Sequence, residues 1–179
     1  MTPTEERALV ARVLEGSRQA ARQLYDAHVG RVHRLVFRIV RDDQLAEEFT
    51  QDAFVKVFGA LKSFRGEAKL STWIHRVAVT EALSGLRRLK RRAGREFDLD
   101  DAVGIAAPDR RIEPDLAERL HRAIDTLPDV FRIPLVLHDL EGFTHSEIAE
   151  LTGSPEGTCK TRLMNARARL REALAAYAQ

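Results

Sequence analysis

The residues of this chain that carry chemistry are suited to recognition rather than to bond breaking. Six histidines, His28, His33, His75, His121, His138 and His145, are scattered, and His28 and His33, five apart, are poorly spaced to share a metal on a helix. A lone cysteine, Cys159, excludes an intramolecular disulfide and a cysteine-built zinc site. No nucleophile motif, phosphate-binding glycine loop or paired carboxylate stands out, so no enzyme, cofactor or metal is expected. The charge pattern is more informative than the net charge of +2. Arg76 to Arg95 holds seven Arg or Lys and one acid, Glu81. Glu96 to Glu118 holds eight acids and two arginines, and Glu156 to Glu172 five basic residues and two acids. Two basic blocks around an acidic connector point to phosphates as ligands.

The second block contains a reading element, Gly142 to Leu170. Thr144-His145-Ser146-Glu147 matches a capping box. The short helix after it stops at Gly153, and Ser154 is expected to cap a second helix with Pro155 at its first position. Two capped helices joined by a tight glycine turn make a helix-turn-helix. At about 100° per residue, Cys159, Leu163, Ala166 and Leu170 form a buried stripe, with Cys159 as a small core residue. Thr161, Met164, Asn165 and Ala168 lie opposite, with Lys160 at the border. Such a face suits the major groove. Lys160 and Arg162 suit guanine edges or phosphates, Asn165 adenine and Met164 a thymine methyl, while Arg167, Arg169 and Arg171 suit phosphates. An ordinary helical hairpin with a solvated face is the competing reading; the caps and the basic second helix disfavour it.

The elements that position these residues are helical throughout. The 179 residues, 44% hydrophobic and 31% charged, suit one or two soluble domains. No apolar run approaches the ~20 residues of a membrane span. The N-terminus, MTPTEERALVARVLEG, is not a secretory signal, so the expected location is the cytoplasm. Helices are expected over Thr4–Leu14, over Ser17–Val40 with an interruption near Gly30, and from Asp42 and Asp43 to about Leu61. Lys62–Leu70 reads as a loop, after which Ser71 caps STWIHRVAVTEALSGLRRLKRR. Ala93–Pro114 reads as an extended linker or a merely tolerated spacer. Beyond it, Leu116, Leu120, Ala123, Ile124 and Leu127 recur at helical spacing, Pro128 ends that helix, and an apolar helix Asp129–Asp139 forms the buried centre. The fold class is all-α: two small helical domains, 1–92 and 115–179, joined by an extended acidic linker, 93–114, the second a helix-turn-helix domain.

The third helix is apolar on two sides. Leu45, Ala46, Phe49, Ala53, Val57 and Ala60 form one face; Phe54, Val55 and Phe58 lie on the other among Glu47, Glu48 and Gln51. Either a three-layer bundle buries both sides, or the second meets a partner with basic residues. The fourth helix starts with core-like Trp73, Ile74 and Val77 and ends in Arg87, Arg88, Lys90, Arg91 and Arg92, more charge than a helix end requires. The loop before it carries Phe64, Arg65 and Lys69, an aromatic and basic mix suited to a single strand or flipped base.

Two stretches, LAEEFTQDAFVKVFGALKSFRGEAKLSTWIHRVAVTEALSGLRRLKRR and LPDVFRIPLVLHDLEGFTHSEIAELTGSPEGTCKTRLMNARARLREAL, resemble the extracytoplasmic-function (ECF) group of bacterial RNA polymerase sigma factors. The likeness spans about residues 10–92 and 114–175. It implies a region 2-like domain that binds the clamp helices of the largest subunit of core polymerase through Asp43, Glu47, Glu48, Gln51, Asp52, Phe54 and Val55. It implies that Phe64, Arg65, Lys69, Arg76, Thr80, Ser84, Arg87, Arg88 and Arg91 melt and hold the −10 element as single-stranded promoter DNA. A region 4-like domain on the polymerase flap would read the duplex −35 element with Ser154, Thr158, Lys160, Thr161, Arg162, Met164, Asn165 and Arg169. The linker would run near the active site and RNA exit path. An anti-sigma factor is an implied partner; a membrane contact of its own is not. The chain departs from the pattern at Thr80 and Ser84, where many relatives carry Asn and Asn or Asp, and at Cys159, where Val is common. It shows no extra domains of housekeeping factors, implying reliance on a good −35 contact. The alternative is a stand-alone helix-turn-helix regulator that binds duplex DNA without polymerase.

Overall fold

The structure, a computed structural model, describes residues 2–92 and 116–175; the linker reading of 93–114 lies outside the described residues. The chain divides into two compact units, Met1–Leu89 and Lys90–Gln179.

In the first unit α1 (Pro3–Leu14), α2 (Arg18–Val40) and α3 (Asp43–Ala60) are followed by a 3-10 turn (Leu61–Ser63) and α4 (Leu70–Arg92). Local chemistry sets the starts: Thr2 and Glu5 form a capping box, Ser17 accepts from the Ala20 amide, and Asp42 accepts from the Leu45 amide at 2.9 Å. The expected interruption at Gly30 is absent. α2 is continuous because Leu24, Val32, Leu35, Val36 and Ile39 keep helical spacing through it and are all buried, which outweighs the roughly 1 kcal/mol penalty of one helical glycine. Ser71 does not cap α4. The helix begins one residue earlier, where the Leu70 amide donates to the Glu6 carboxylate of α1 at 3.0 Å. A side chain 64 residues away thus satisfies an orphan donor at the start of the helix. The core is built on Leu24, Leu35, Ile39, Phe49, Leu61, Leu70, Ile74 and Leu83. α3 and α4 approach so closely at Gly85 that a Cβ there would stand 2.3 Å from the Phe49 ring.

The second unit contains α5 (Leu116–Asp125), α6 (Asp129–Leu135), a π-helical turn (Val136–Leu140), α7 (His145–Thr152) and α8 (Glu156–Ala175). The helix expected over Asp129–Asp139 is therefore of two kinds. Pro134, buried inside α6, has no amide to return to the preceding turn, and the chain widens into the π turn just beyond it. Arg132, 4% exposed, is satisfied by the Leu127 carbonyl at 3.0 Å and Asp129 Oδ1 at 2.7 Å. Ile133, Leu137, Ile148 and Leu163 close this core.

His28 on α2 is 7% exposed, and neither ring nitrogen has a hydrogen-bond partner. Burial lowers its pKa below the usual histidine value, His75 and Arg31 lower it further, and Glu6 opposes them. The unfolded chain therefore takes up a proton near pH ~6.5 while the folded chain stays neutral to lower pH. Stability must fall as the pH drops below ~6.5, down to the folded pKa. His28→Leu removes that contribution and an unsatisfied buried group. Thermal unfolding from pH 7 to 5 is expected to show a shallower fall for His28→Leu than for the parent, with a higher midpoint at pH 5; parallel curves would contradict this.

Candidate nucleic-acid interface

The helix-turn-helix is closed by its caps. The Glu147 amide donates to Thr144 Oγ1 at 3.3 Å, and the Thr144 amide donates to Glu147 Oε2 at 2.8 Å. Gly153 ends α7 in the left-handed region at φ +70. Ser154 does not cap α8. The Pro155 carbonyl accepts the first helical bond, from the Cys159 amide, and Ser154 Oγ instead accepts from Arg162 at 2.9 Å. Cys159, Leu163, Ala166 and Leu170 are buried; Cys159 lies 3.9 Å from the Thr152 hydroxyl, which donates to the Ile148 carbonyl at 2.7 Å. Across the helix, Lys160 and Thr161 are exposed, Met164 is 61% exposed, and Thr158 and Asn165 are half-buried. Thr161 donates to the Gly157 carbonyl at 3.1 Å, and Lys160 pairs with Glu156 at 2.6 Å within one turn.

Three of the arginines of α8 have partners within the unit. Arg167 grips Asp139 of the π turn with two bonds, 2.9 and 2.6 Å. Those bonds hold the Asp139 pKa below the ordinary aspartate value, with a further hydrogen bond from His138. His138 in turn stacks on His145 at the start of α7, ring centroids 4.5 Å apart. Arg169 lies over the Phe131 ring at 4.6 Å. Arg162, Arg167 and Arg169 thus knit the unit together before any DNA arrives. Arg171, the last arginine of the block, is exposed.

In the first unit, Asp43, Glu47, Glu48, Gln51 and Val55 are exposed along α3, Val55 by 72%. Phe54 is not on that surface. It is 3% exposed, edge-on to Tyr25 of α2 at 4.7 Å, with Phe58 at 6.2 Å. The bundle buries Phe49 on one side of α3 and Phe54 on the other, and leaves Val55 and the acids between them open. Asp52 is half-buried, 3.7 Å from Arg88. On α4, Arg76, Thr80 and Arg91 are exposed and Ser84 and Arg87 half-buried; Thr80 donates to the Arg76 carbonyl at 2.8 Å. In the preceding loop Arg65 and Lys69 are exposed, and Phe64 is half-buried, tilted against Trp73 at 5.7 Å.

Arg88 is also spoken for. It bonds Glu81 at 3.1 Å, and Lys56 of α3 pairs with the other Glu81 oxygen. Glu81 is 1% exposed. Burial alone raises its pKa; the bonds from Lys56 and Arg88 outweigh burial and hold the carboxyl below the usual glutamate range. The sequence marked Glu81 only as the single acid in a basic block, and that oddity was the available signal. The cations keep one end in water, so losing Glu81 strands no charge, whereas losing both cations strands a buried carboxylate. Lys56→Met with Arg88→Met is expected to cost about 3–5 kcal/mol in denaturant unfolding of this unit, and Glu81→Leu clearly less. The reverse order would show that the pairing is incidental.

The family description Sigma-70 region 2 matches residues 24–104, and Sigma-70, region 4 matches residues 117–170. The RNA polymerase sigma-H factor of Pseudomonas aeruginosa is 31% identical over 185 residues, covering 97% of this chain and 96% of that protein. The ECF RNA polymerase sigma factor SigM of Mycobacterium tuberculosis is 35% identical over 162 residues, covering 90% and 81%. A solved structure of the sigma factor RpoE in complex with the anti-sigma factor NepR from Bartonella quintana shares the fold, with a TM-score of 0.58 and 23% identity over 86% of this chain and 96% of that one. Two matched regions in the right order, and relatives alike over most of both lengths, place this chain in the extracytoplasmic-function group of bacterial RNA polymerase sigma factors.

Proposed function

We propose that this sigma factor joins core RNA polymerase through the exposed acidic side of α3 and reads promoters at two places. Asp43, Glu47, Glu48, Gln51 and Val55 form the polymerase-facing surface, with Asp52 at its edge and Phe54 bracing it from beneath. The clamp helices of the largest subunit meet this surface. The Phe64–Lys69 loop and the Arg76, Thr80, Ser84, Arg87 and Arg91 side of α4 take the −10 element as single-stranded DNA. Residues 115–179 sit on the polymerase flap and read the −35 duplex; residues 1–92 act at −10, with 93–114 between them.

The observation that carries this reading is the division of labour on α8. Its arginines at 162, 167 and 169 are engaged within the unit, while Lys160, Thr161 and Met164 face outward with Asn165 beside them. A face of small, polar and apolar side chains suits base edges, while Arg167, Arg169 and Arg171, also exposed, flank it within reach of phosphates. The chemistry is positioning and strand capture, with no bond made or broken by this chain. Among the described residues no helix is long and apolar enough to cross a membrane, consistent with work beside polymerase in the cytoplasm. Because the RpoE structure holds an anti-sigma factor, a protein inhibitor covering the same surfaces is proposed here as well.

The test is holoenzyme reconstitution. Lys160→Ala combined with Asn165→Ala is expected to lower −35-dependent initiation at least tenfold, since each good base contact contributes about 1–3 kcal/mol, while binding to core is unchanged. Equal loss of core binding would show that this face has been misassigned.

A further inference from the structure

Two histidines of the second unit meet face to face. His138 of the π turn and His145, the first residue of α7, stack with ring centroids 4.5 Å and planes 24° apart. His138 Nδ1 lies 2.8 Å from Asp139 Oδ1, and Asp139 takes two bonds from Arg167 of α8. The stack thus completes a chain of contacts from the reading helix, through the π turn, to the first helix of the helix-turn-helix.

The surroundings leave this pair little room for charge. On α8, Arg167 is matched by Asp139 and Lys160 by Glu156. On α7, Glu147 is held in the Thr144 cap. His145 Nδ1 is buried with no hydrogen-bond partner, and the positive end of α7 opposes a cation at its first residue. Burial lowers the His145 pKa below the usual histidine value; His138, Lys160 and Arg167 lower it further, and Glu156 opposes them. A proton on His138 would face the Asp139 carboxylate, whereas one on His145 would face no uncommitted acid. Protons on both would set two cations against each other at stacking distance, where they repel. His145 is harder to protonate in the folded unit than in a free side chain, so acid favours the arrangement with the stack open. Resting on the reading of α8 as the −35 helix, we propose that His138 and His145 are positioning residues for that helix, and that their stack makes −35 recognition pH-sensitive: firm while both rings are neutral, released when both are protonated.

The test uses holoenzyme reconstituted from core polymerase and the full chain, on two templates that differ only in the −35 element. The ratio of initiation on the two, taken at each pH, cancels the pH dependence of polymerase itself. For the parent this ratio is expected to fall about tenfold between about pH 7.5 and about pH 5.5. His145→Phe keeps a flat ring in the stack that takes no proton, so its ratio should hold across the range; His138→Phe should behave alike. Proton NMR of the full chain reads the pair directly: His138→Phe should move the His145 titration to higher pH. A ratio that falls equally in the parent and in His145→Phe, or a His145 titration unmoved by His138→Phe, overturns the proposal. So does a ratio that rises in acid, which would make the histidines phosphate contacts. A parent that ignores the −35 element at every pH defeats the −35 reading itself, whereas a strong preference that ignores pH defeats only this proposal.

Discussion

A glutamate with almost no access to water is the constraint around which the first unit is organised. An ionised carboxylate in that position costs several kcal/mol unless cations meet it with good geometry. Glu81 is met from two sides, by Lys56 of α3 and by Arg88 two turns along α4, with Asp52 joining through Arg88. The arrangement leaves α3 and α4 one register. The Gly85–Phe49 contact requires the same register sterically, since no larger residue fits there. The outward sides of these two helices are the proposed polymerase surface and the proposed promoter surface. Sliding one helix by a turn would break the ion network, the close approach and the alignment of the two surfaces together. The two proposed surfaces thus share one frame.

The second unit solves a similar problem with exposed groups. Pro134 prevents α6 from continuing regularly, and the π turn that results presents Asp139 to Arg167 of α8 and His138 to His145 of α7. The reading helix is therefore anchored by polar contacts at its side as well as by the Cys159, Leu163, Ala166 and Leu170 stripe beneath it. An anchored helix loses less freedom on docking into a groove, which favours specific over loose binding.

What the sequence revealed, and what it hid, follows from the range of the interactions. The capping box at Thr144, the stop at Gly153 and the buried stripe of α8 depend on residues three or four apart, and all were legible. So was the all-helical class, because apolar spacing near 3.6 residues runs through most of the chain. The fates of the charged residues were not legible. Arg167 finds its carboxylate 28 residues back, and the start of α4 finds its cap 64 residues back. Phe54 looked like a partner-facing aromatic because a helical wheel shows two apolar sides without showing that Tyr25 covers one. Arg88, Arg162 and Arg169 looked like free cations for the same reason. Basic residues on a DNA-binding chain divide between the ligand and the scaffold, and only tertiary structure assigns them.

The most direct measurement of the central claim is transcript start mapping on genomic DNA of the source bacterium, with core polymerase alone and with this chain added. Discrete new starts are predicted only when both are present, with upstream duplex protection that the chain alone does not give. A chain that protects the same duplex without core, and leaves start selection unchanged when core is added, would contradict the sigma-factor mechanism and identify a free-standing duplex binder.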